Sequence, residues 1–187
     1  MTSGPLIPSP RAASPGPSGV YSNSENMTEK ERMLSGQWYY ASSPELVGER
    51  ERCKQACYRL NNASMLYASK MDQWRLFVET LRPGGQYEGM PSGVIDKVDI
   101  ETPFHCSYGT NISLGEEVRI GPGCTIIDAA HVTIKDRSIL EGDVKIYTTL
   151  RRQDPRKRQG AKGSEFAKAV IIGEDCWIQG NVTILCV

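Results

Sequence analysis

The chain has 187 residues, with 22 Lys+Arg balanced by 22 Asp+Glu. That balance gives no global field for nucleic acid or an anionic membrane surface, and no run of 18 apolar residues is present to span a bilayer. Six cysteines without a CxxC pair argue for buried free thiols in a cytoplasmic protein rather than a disulfide or zinc framework.

Residues 1–26 contain five Pro, six Ser and three Gly and hardly any large apolar group. Such a segment cannot bury enough surface to offset its ordering entropy, so a disordered tail is expected, with no apolar signal core in it. A helical head is expected over 27–93. Thr28-Glu29-Lys30-Glu31 has the form of a capping box, and Gly36 stops the helix it opens. Ser43-Pro44-Glu45 opens a second helix, with Ser43 as cap, an apolar stripe of Leu46, Cys53, Cys57 and Leu60, and an end at Asn61-Asn62. Cys53 and Cys57 lie one turn apart and could form half a metal site, but no second pair accompanies them, which favours the helix-core reading. A third helix carries Met65, Leu66, Met71, Trp74, Phe77, Val78 and Leu81 and stops at Pro83-Gly84-Gly85.

From residue 94 onward the dominant signal is a beat of six. Leu114, Ile120, Ile126, Ile134, Leu140 and Ile146 recur at near-fixed spacing, and Ile172, Ile178 and Ile184 resume it. Four places after each sits a small or β-branched residue: Val118, Cys124, Ala130, Ser138, Val144, Cys176 and Val182. The irregular step between Ile126 and Ile134 reads as a two-residue bulge at Ala129-Ala130. A period of six fits neither an amphipathic helix nor a simple alternating strand. It fits a β-solenoid of short strands and turns stacked on a continuous aliphatic column. The beat stops over 147–169, a long polar loop in which six cations from Arg151 to Lys162 face Asp154. Such a loop could attract phosphates or an acidic acceptor, or be a solvated segment.

Two blocks carry a family resemblance. One is Thr28-Glu29-Lys30-Glu31-Arg32-Met33-Leu34-Ser35-Gly36 with Tyr39, Ser43-Pro44-Glu45-Leu46 and Arg50; the other is Pro103-Phe104-His105-Cys106-Ser107-Tyr108-Gly109-Thr110-Asn111-Ile112. Together they resemble the maltose and galactoside O-acetyltransferases. The resemblance implies a mostly β fold: a left-handed parallel β-helix over 94–187 preceded by the small α-helical domain. It also implies a homotrimer, acetyl-CoA as co-substrate without a permanent cofactor or metal, and transfer of acetyl to a hydroxyl of a sugar or other small metabolite. By the same resemblance Arg50, Ser107 and Asp128 would contact the acceptor, and Trp177 and Gly180 the CoA; for Asp128 the satisfied-turn reading stands beside the functional one.

The chain departs from the family pattern at three points. Arg151 stands where the family has its His base, and a guanidinium can hold an anion but cannot accept a proton. The family often has an Asn near Gly121. Relatives also continue for further coils after the segment matching Trp177-Ile178. His105 and His131 are the available imidazoles for the missing base. The other reading is a non-catalytic relative that binds ligand or assembles with a complete paralogue.

Overall fold

The computed structural model describes residues 26–63, 69–82 and 98–186. The Pro/Ser-rich tail, the Met65-Leu66 part of the third helix and the connector containing Val94-Ile95 fall outside these ranges.

Helix α1 (Glu29–Leu34) starts on the expected capping box: Thr28 Oγ1 accepts from the Glu31 N–H at 3.1 Å, and the Glu31 carboxylate accepts from the Thr28 N–H at 2.8 Å. Gly36, at φ +68°, turns the chain out of the helix. Helix α2 (Pro44–Ala63) buries Leu46, Cys53, Ala56, Cys57 and Leu60. One expectation for it is corrected: Ser43 precedes Pro44, but its Oγ has no hydrogen-bond partner among the described residues. The helix runs to Ala63, one residue past the expected Asn61-Asn62 end. Asn61 also ties it to the first coil, donating Nδ2–H to the Phe104 carbonyl at 3.0 Å and accepting the Phe104 N–H at 2.8 Å. Helix α3 (Lys70–Leu81) starts on a second capping box, Ser69 with Asp72. Its Trp74, Phe77 and Val78 are buried, whereas Met71 is exposed and not part of the stripe. Phe77 meets Phe104 edge to face at 5.5 Å, joining head to coil.

The strands visit three parallel sheets in rotation. β1 (Val98–Ile100), β4 (Val118–Ile120), β7 (Ile139–Leu140) and β12 (Trp177–Ile178) form one face. β2 (His105–Cys106), β5 (Thr125–Ile127), β8 (Lys145–Tyr147) and β13 (Thr183–Leu185) form the second. β3 (Ile112–Leu114), β6 (Val132–Ile134) and β11 (Val170–Ile172) form the third. The result is a three-faced parallel β-coil. Its register stacks the hexad residues on one another: Ile100, Ile120, Leu140 and Ile178 on the first face; Cys106, Ile126, Ile146 and Ile184 on the second; Leu114, Ile134 and Ile172 on the third. All nine hexad aliphatics belong to or pack against one core, as the beat of six requires. β1 and β2 add rungs ahead of the first hexad, so two faces stack four strands where the hexads alone account for three.

Inward polar atoms are satisfied within the stack. Ser138 Oγ donates to the Gly173 carbonyl at 2.7 Å and accepts from the Cys176 N–H at 3.1 Å. Corners turn through positive φ at Glu117, Arg137, Asp143, Asp175 and Asn181. Gly121 sits at a corner against Gly142, where an added Cβ would lie 2.8 Å from the Gly142 nitrogen.

The expected polar loop is largely folded. β9 (Thr149–Arg151) pairs antiparallel with β10 (Glu165–Ala167), and a one-turn helix α4 (Pro155–Arg158) caps the excursion. β10 also bridges to Tyr39, so the hairpin leans on the head. The bulge residues Ala129 and Ala130 are buried in a second core with Met33, Tyr39, Leu46, Tyr108 and Ala167. The bulge therefore serves the junction between head and coil. No described helix is long and apolar enough to cross a membrane.

Candidate active site

The head, the turn after β2 and the β9–β10 hairpin enclose a cleft of about 190 Å³, lined among others by Tyr39, Arg50, Ser107, Tyr108, Thr149 and Glu165. Arg50 projects from α2 and is fixed at both ends of its fork. It donates Nη1–H to the Tyr108 hydroxyl at 2.7 Å and Nη2–H to the Ala41 carbonyl at 2.6 Å, with the guanidinium 5.7 Å from the Tyr108 ring centroid. The Tyr39 hydroxyl donates to Glu165 Oε2 at 3.3 Å. Burial first, and then the Glu165 charge, push the Tyr39 phenol well above its ordinary range; burial likewise raises Tyr108 against the opposing pull of Arg50. Both phenols stay protonated at neutral pH and offer O–H donors.

Asp128 lies beneath the cleft and is completely buried. Its Oδ1 accepts the N–H groups of Ser107 at 2.9 Å and Tyr108 at 2.8 Å, its Oδ2 faces the Asn111 N–H at 3.4 Å, and its carbonyl accepts from Asn111 Nδ2 at 2.7 Å. The carboxylate thus organises the Ser107–Asn111 turn that presents Ser107 and Tyr108. Thr148 does the same one coil on, donating to the Ile127 carbonyl at 2.6 Å and accepting the Ala130 N–H at 3.0 Å.

Arg151 stands on β9 opposite Glu165, and its guanidinium pairs with the Glu165 carboxylate. Glu165 therefore holds Tyr39 through one oxygen and Arg151 through the other. The next residue, Arg152, stacks over Trp38 at 3.8 Å, and Trp38 in turn contacts Phe166 at 5.5 Å. With Leu150, Arg151 and Lys157 these border a second, more open cleft of about 340 Å³, which is where the basic loop presents its charge.

Of the residues singled out by sequence, Arg50 and Ser107 line the first cleft, Asp128 supports it, and Arg151 reaches it through Glu165. Trp177 and Gly180 lie elsewhere, on β12 and the turn after it. Trp177 is 66% exposed and donates Nε1–H to Glu141 at 3.1 Å; Gly180 stacks against the Gly142 carbonyl, 3.1 Å from where its Cβ would be. His105 and His131 are both exposed, and neither lines the cleft. Glu165 escaped sequence reasoning because only antiparallel pairing with Arg151 brings it in. The alternation Glu165-Phe166-Ala167 was the sole local hint.

Comparison with known proteins agrees with this architecture. Residues 32–83 match the family model of the maltose acetyltransferase hexapeptide capping motif. Nodulation protein L of Rhizobium meliloti (strain 1021) is 35% identical over 158 residues, which is 84% of this chain and 79% of that protein. A maltose O-acetyltransferase from Clostridium difficile 630 is 33% identical with a TM-score of 0.67, covering 85% of this chain and 78% of the other. A hexapeptide-repeat acetyltransferase from Vibrio cholerae O1 biovar eltor, solved with acetyl coenzyme A, has a TM-score of 0.63 at 24% identity over 85% and 78% of the two chains, a likeness of fold. Helical cap and three-faced coil together define a hexapeptide-repeat protein of the acetyltransferase type. The chain belongs to the maltose/galactoside O-acetyltransferase family.

Proposed function

We propose that the chain is an acetyl-CoA-dependent O-acetyltransferase that moves acetyl to a hydroxyl of a sugar or another small hydroxylated metabolite. The observation that carries this reading is the convergence of the polar groups of Arg50, Ser107, Tyr108 and Glu165 on one small cleft between head and coil. Such a cleft suits an acceptor rich in hydroxyls. Arg50 donates to the Tyr108 oxygen, which leaves the phenol proton for an acceptor oxygen, and the Ser107 hydroxyl can both donate and accept.

In the reaction, the acceptor hydroxyl attacks the thioester carbonyl, its proton goes to a base, and collapse of the tetrahedral intermediate breaks the C–S bond. The CoA thiolate then takes up a proton. Arg151 cannot serve as the base, so Glu165, the carboxylate lining the cleft, takes the proton, while Arg151 beside it provides positive charge for the developing oxyanion. Trp177 and Gly180 are proposed to contact the CoA, an assignment that rests on the family resemblance and fits their exposure on β12 and the turn after it. Within this reading the coil is left-handed, the protein is cytoplasmic, and the enzyme is a homotrimer.

The test is thiol release from acetyl-CoA over a panel of mono- and disaccharides, with the acetylated product identified by mass. Glu165→Gln is expected to lower kcat by about 10²–10⁴-fold. Unchanged turnover in that variant refutes Glu165 as base, and absence of acetyl transfer to any hydroxylated acceptor refutes the enzyme reading.

A further inference from the structure

Outside the cleft, the head meets the first coil through three thiols. Cys53 and Cys57 are one turn apart on α2 and face β2, where Cys106 points back between them. The Cys106 sulfur lies 3.4 Å from that of Cys53 and 3.8 Å from that of Cys57, and all three lie within 4.8 Å of one another. Cys53 and Cys57 are buried, and Cys106 is partly so. The helix spacing that suggested half a site is therefore completed from a strand about fifty residues away, invisible to any CxxC search.

We propose that Cys53, Cys57 and Cys106 bind one thiophilic d10 cation, Zn²⁺ in the first instance, which fastens the helical head to the first coil. Tetrahedral zinc with Zn–S bonds of about 2.3 Å holds its sulfurs about 3.8 Å apart. The observed separations are close to that, whereas a disulfide requires about 2.05 Å and leaves one thiol of the three unpaired. A cleft of about 480 Å³ lined by Lys54, Cys57, Asn61, His105 and Cys106 opens onto the cluster and gives an entry path. The cleft leaves the fourth position of the tetrahedron open to solvent water. Three thiolates and one Zn²⁺ leave a single negative charge, beside a cleft that also includes Lys54 in its lining. Binding releases the thiol protons to solvent, so affinity rises with pH. Cys106 immediately precedes Ser107 and Tyr108, so the ion would also fix the strand that presents the acceptor cleft.

The experiment uses the full chain, reduced and stripped with chelator, titrated with Co²⁺ and then Zn²⁺. One Co²⁺ per chain is expected, with the intense visible absorption of a tetrahedral thiolate complex, bleached by Zn²⁺. Zn²⁺ at a hundredfold excess over its Kd should raise Tm by about 5–10 °C. Cys57→Ser should weaken binding by ~100-fold or more, while Cys176→Ser, in the solenoid column, leaves it intact. Should Cys57→Ser not fold, metal content of the unmodified protein decides: one Zn²⁺ per chain survives gel filtration and is released by a mercurial thiol reagent. A missing cobalt–thiolate spectrum, a spectrum retained in both Cys57→Ser and Cys106→Ser, or no thiol-releasable Zn²⁺ overturns the proposal, and leaves the trio as sulfur packing in the core.

Discussion

Asp128 provides a pH-dependent test of how the cleft is held. Its carboxylate is fully buried and accepts the Ser107 and Tyr108 N–H groups, with the Asn111 N–H farther off. Burial outweighs these hydrogen bonds and lifts its pKa to about 6, against about 3.9 for an unperturbed Asp. Between those values the folded protein holds a proton that the unfolded chain has released. Stability from this group is therefore greatest below pH 4 and declines as pH rises to 6. The two-unit separation corresponds to about 3 kcal/mol, taken at 1.36 kcal/mol per unit. Asp128→Asn cannot titrate and so removes the slope. It still offers an oxygen to Ser107 and Tyr108 but turns an amide N–H toward the Asn111 N–H, a constant penalty of about 1–3 kcal/mol. Urea unfolding of both proteins from pH 4 to 7 measures the difference, with the m-value confirming a common transition. The advantage of the wild type over the variant should shrink by about 2–3 kcal/mol across that window. A difference that is flat with pH shows that Asp128 does not titrate there. A difference that grows with pH shows that the backbone donors win over burial and that the argument has the wrong sign.

Three further outcomes are expected. Leu140→Ala opens a cavity in the first-face stack between Ile120 and Ile178 and should cost roughly 2–5 kcal/mol in chemical denaturation. Arg151→His removes the positive charge proposed to steady the oxyanion and should lower kcat in the thiol-release assay by about 10²-fold; a rise would show that an imidazole there supplies a base that Glu165 does not. Sedimentation equilibrium at micromolar concentration should give three times the chain mass; a well-folded monomer would refute the trimer.

Much of the fold was legible because one physical requirement repeats. Each turn of the coil must deliver an aliphatic side chain to the same column, so the beat of six survives in sequence from Leu114 to Ile184. The capping box at Thr28 was legible for a related reason, since both partners lie within four residues. What could not be read arises where distant segments meet. Asn61 finds its hydrogen-bond partners on Phe104 of the first coil, and Met71 is exposed although the helical stripe includes it. Ala129-Ala130 reads as an irregularity in the beat, but its purpose is visible only in its burial against Tyr39 and Tyr108.

The same distinction governs the cleft. Arg50 and Ser107 sit in segments whose local pattern is strong, and the fold brings them to one place. Arg151 could be recognised as unable to act as a base, but its partner could not, because the loop looked like solvated charge. Folding that loop into a hairpin places Leu150 across from Phe166 and Arg151 across from Glu165. The apolar pair gives the hairpin a reason to form, and the ionic pair puts a carboxylate beside the Arg151 guanidinium at the cleft. Tyr39 then ties the same carboxylate to the head through a hydroxyl contact and a backbone bridge. The Arg151 side chain is thereby coupled to the conformation of the hairpin from Thr149 to Ala167. Exchanging Arg151 alone alters both the charge in the cleft and one anchor of the hairpin, so its kinetic effect should be read beside Glu165→Gln and not in isolation.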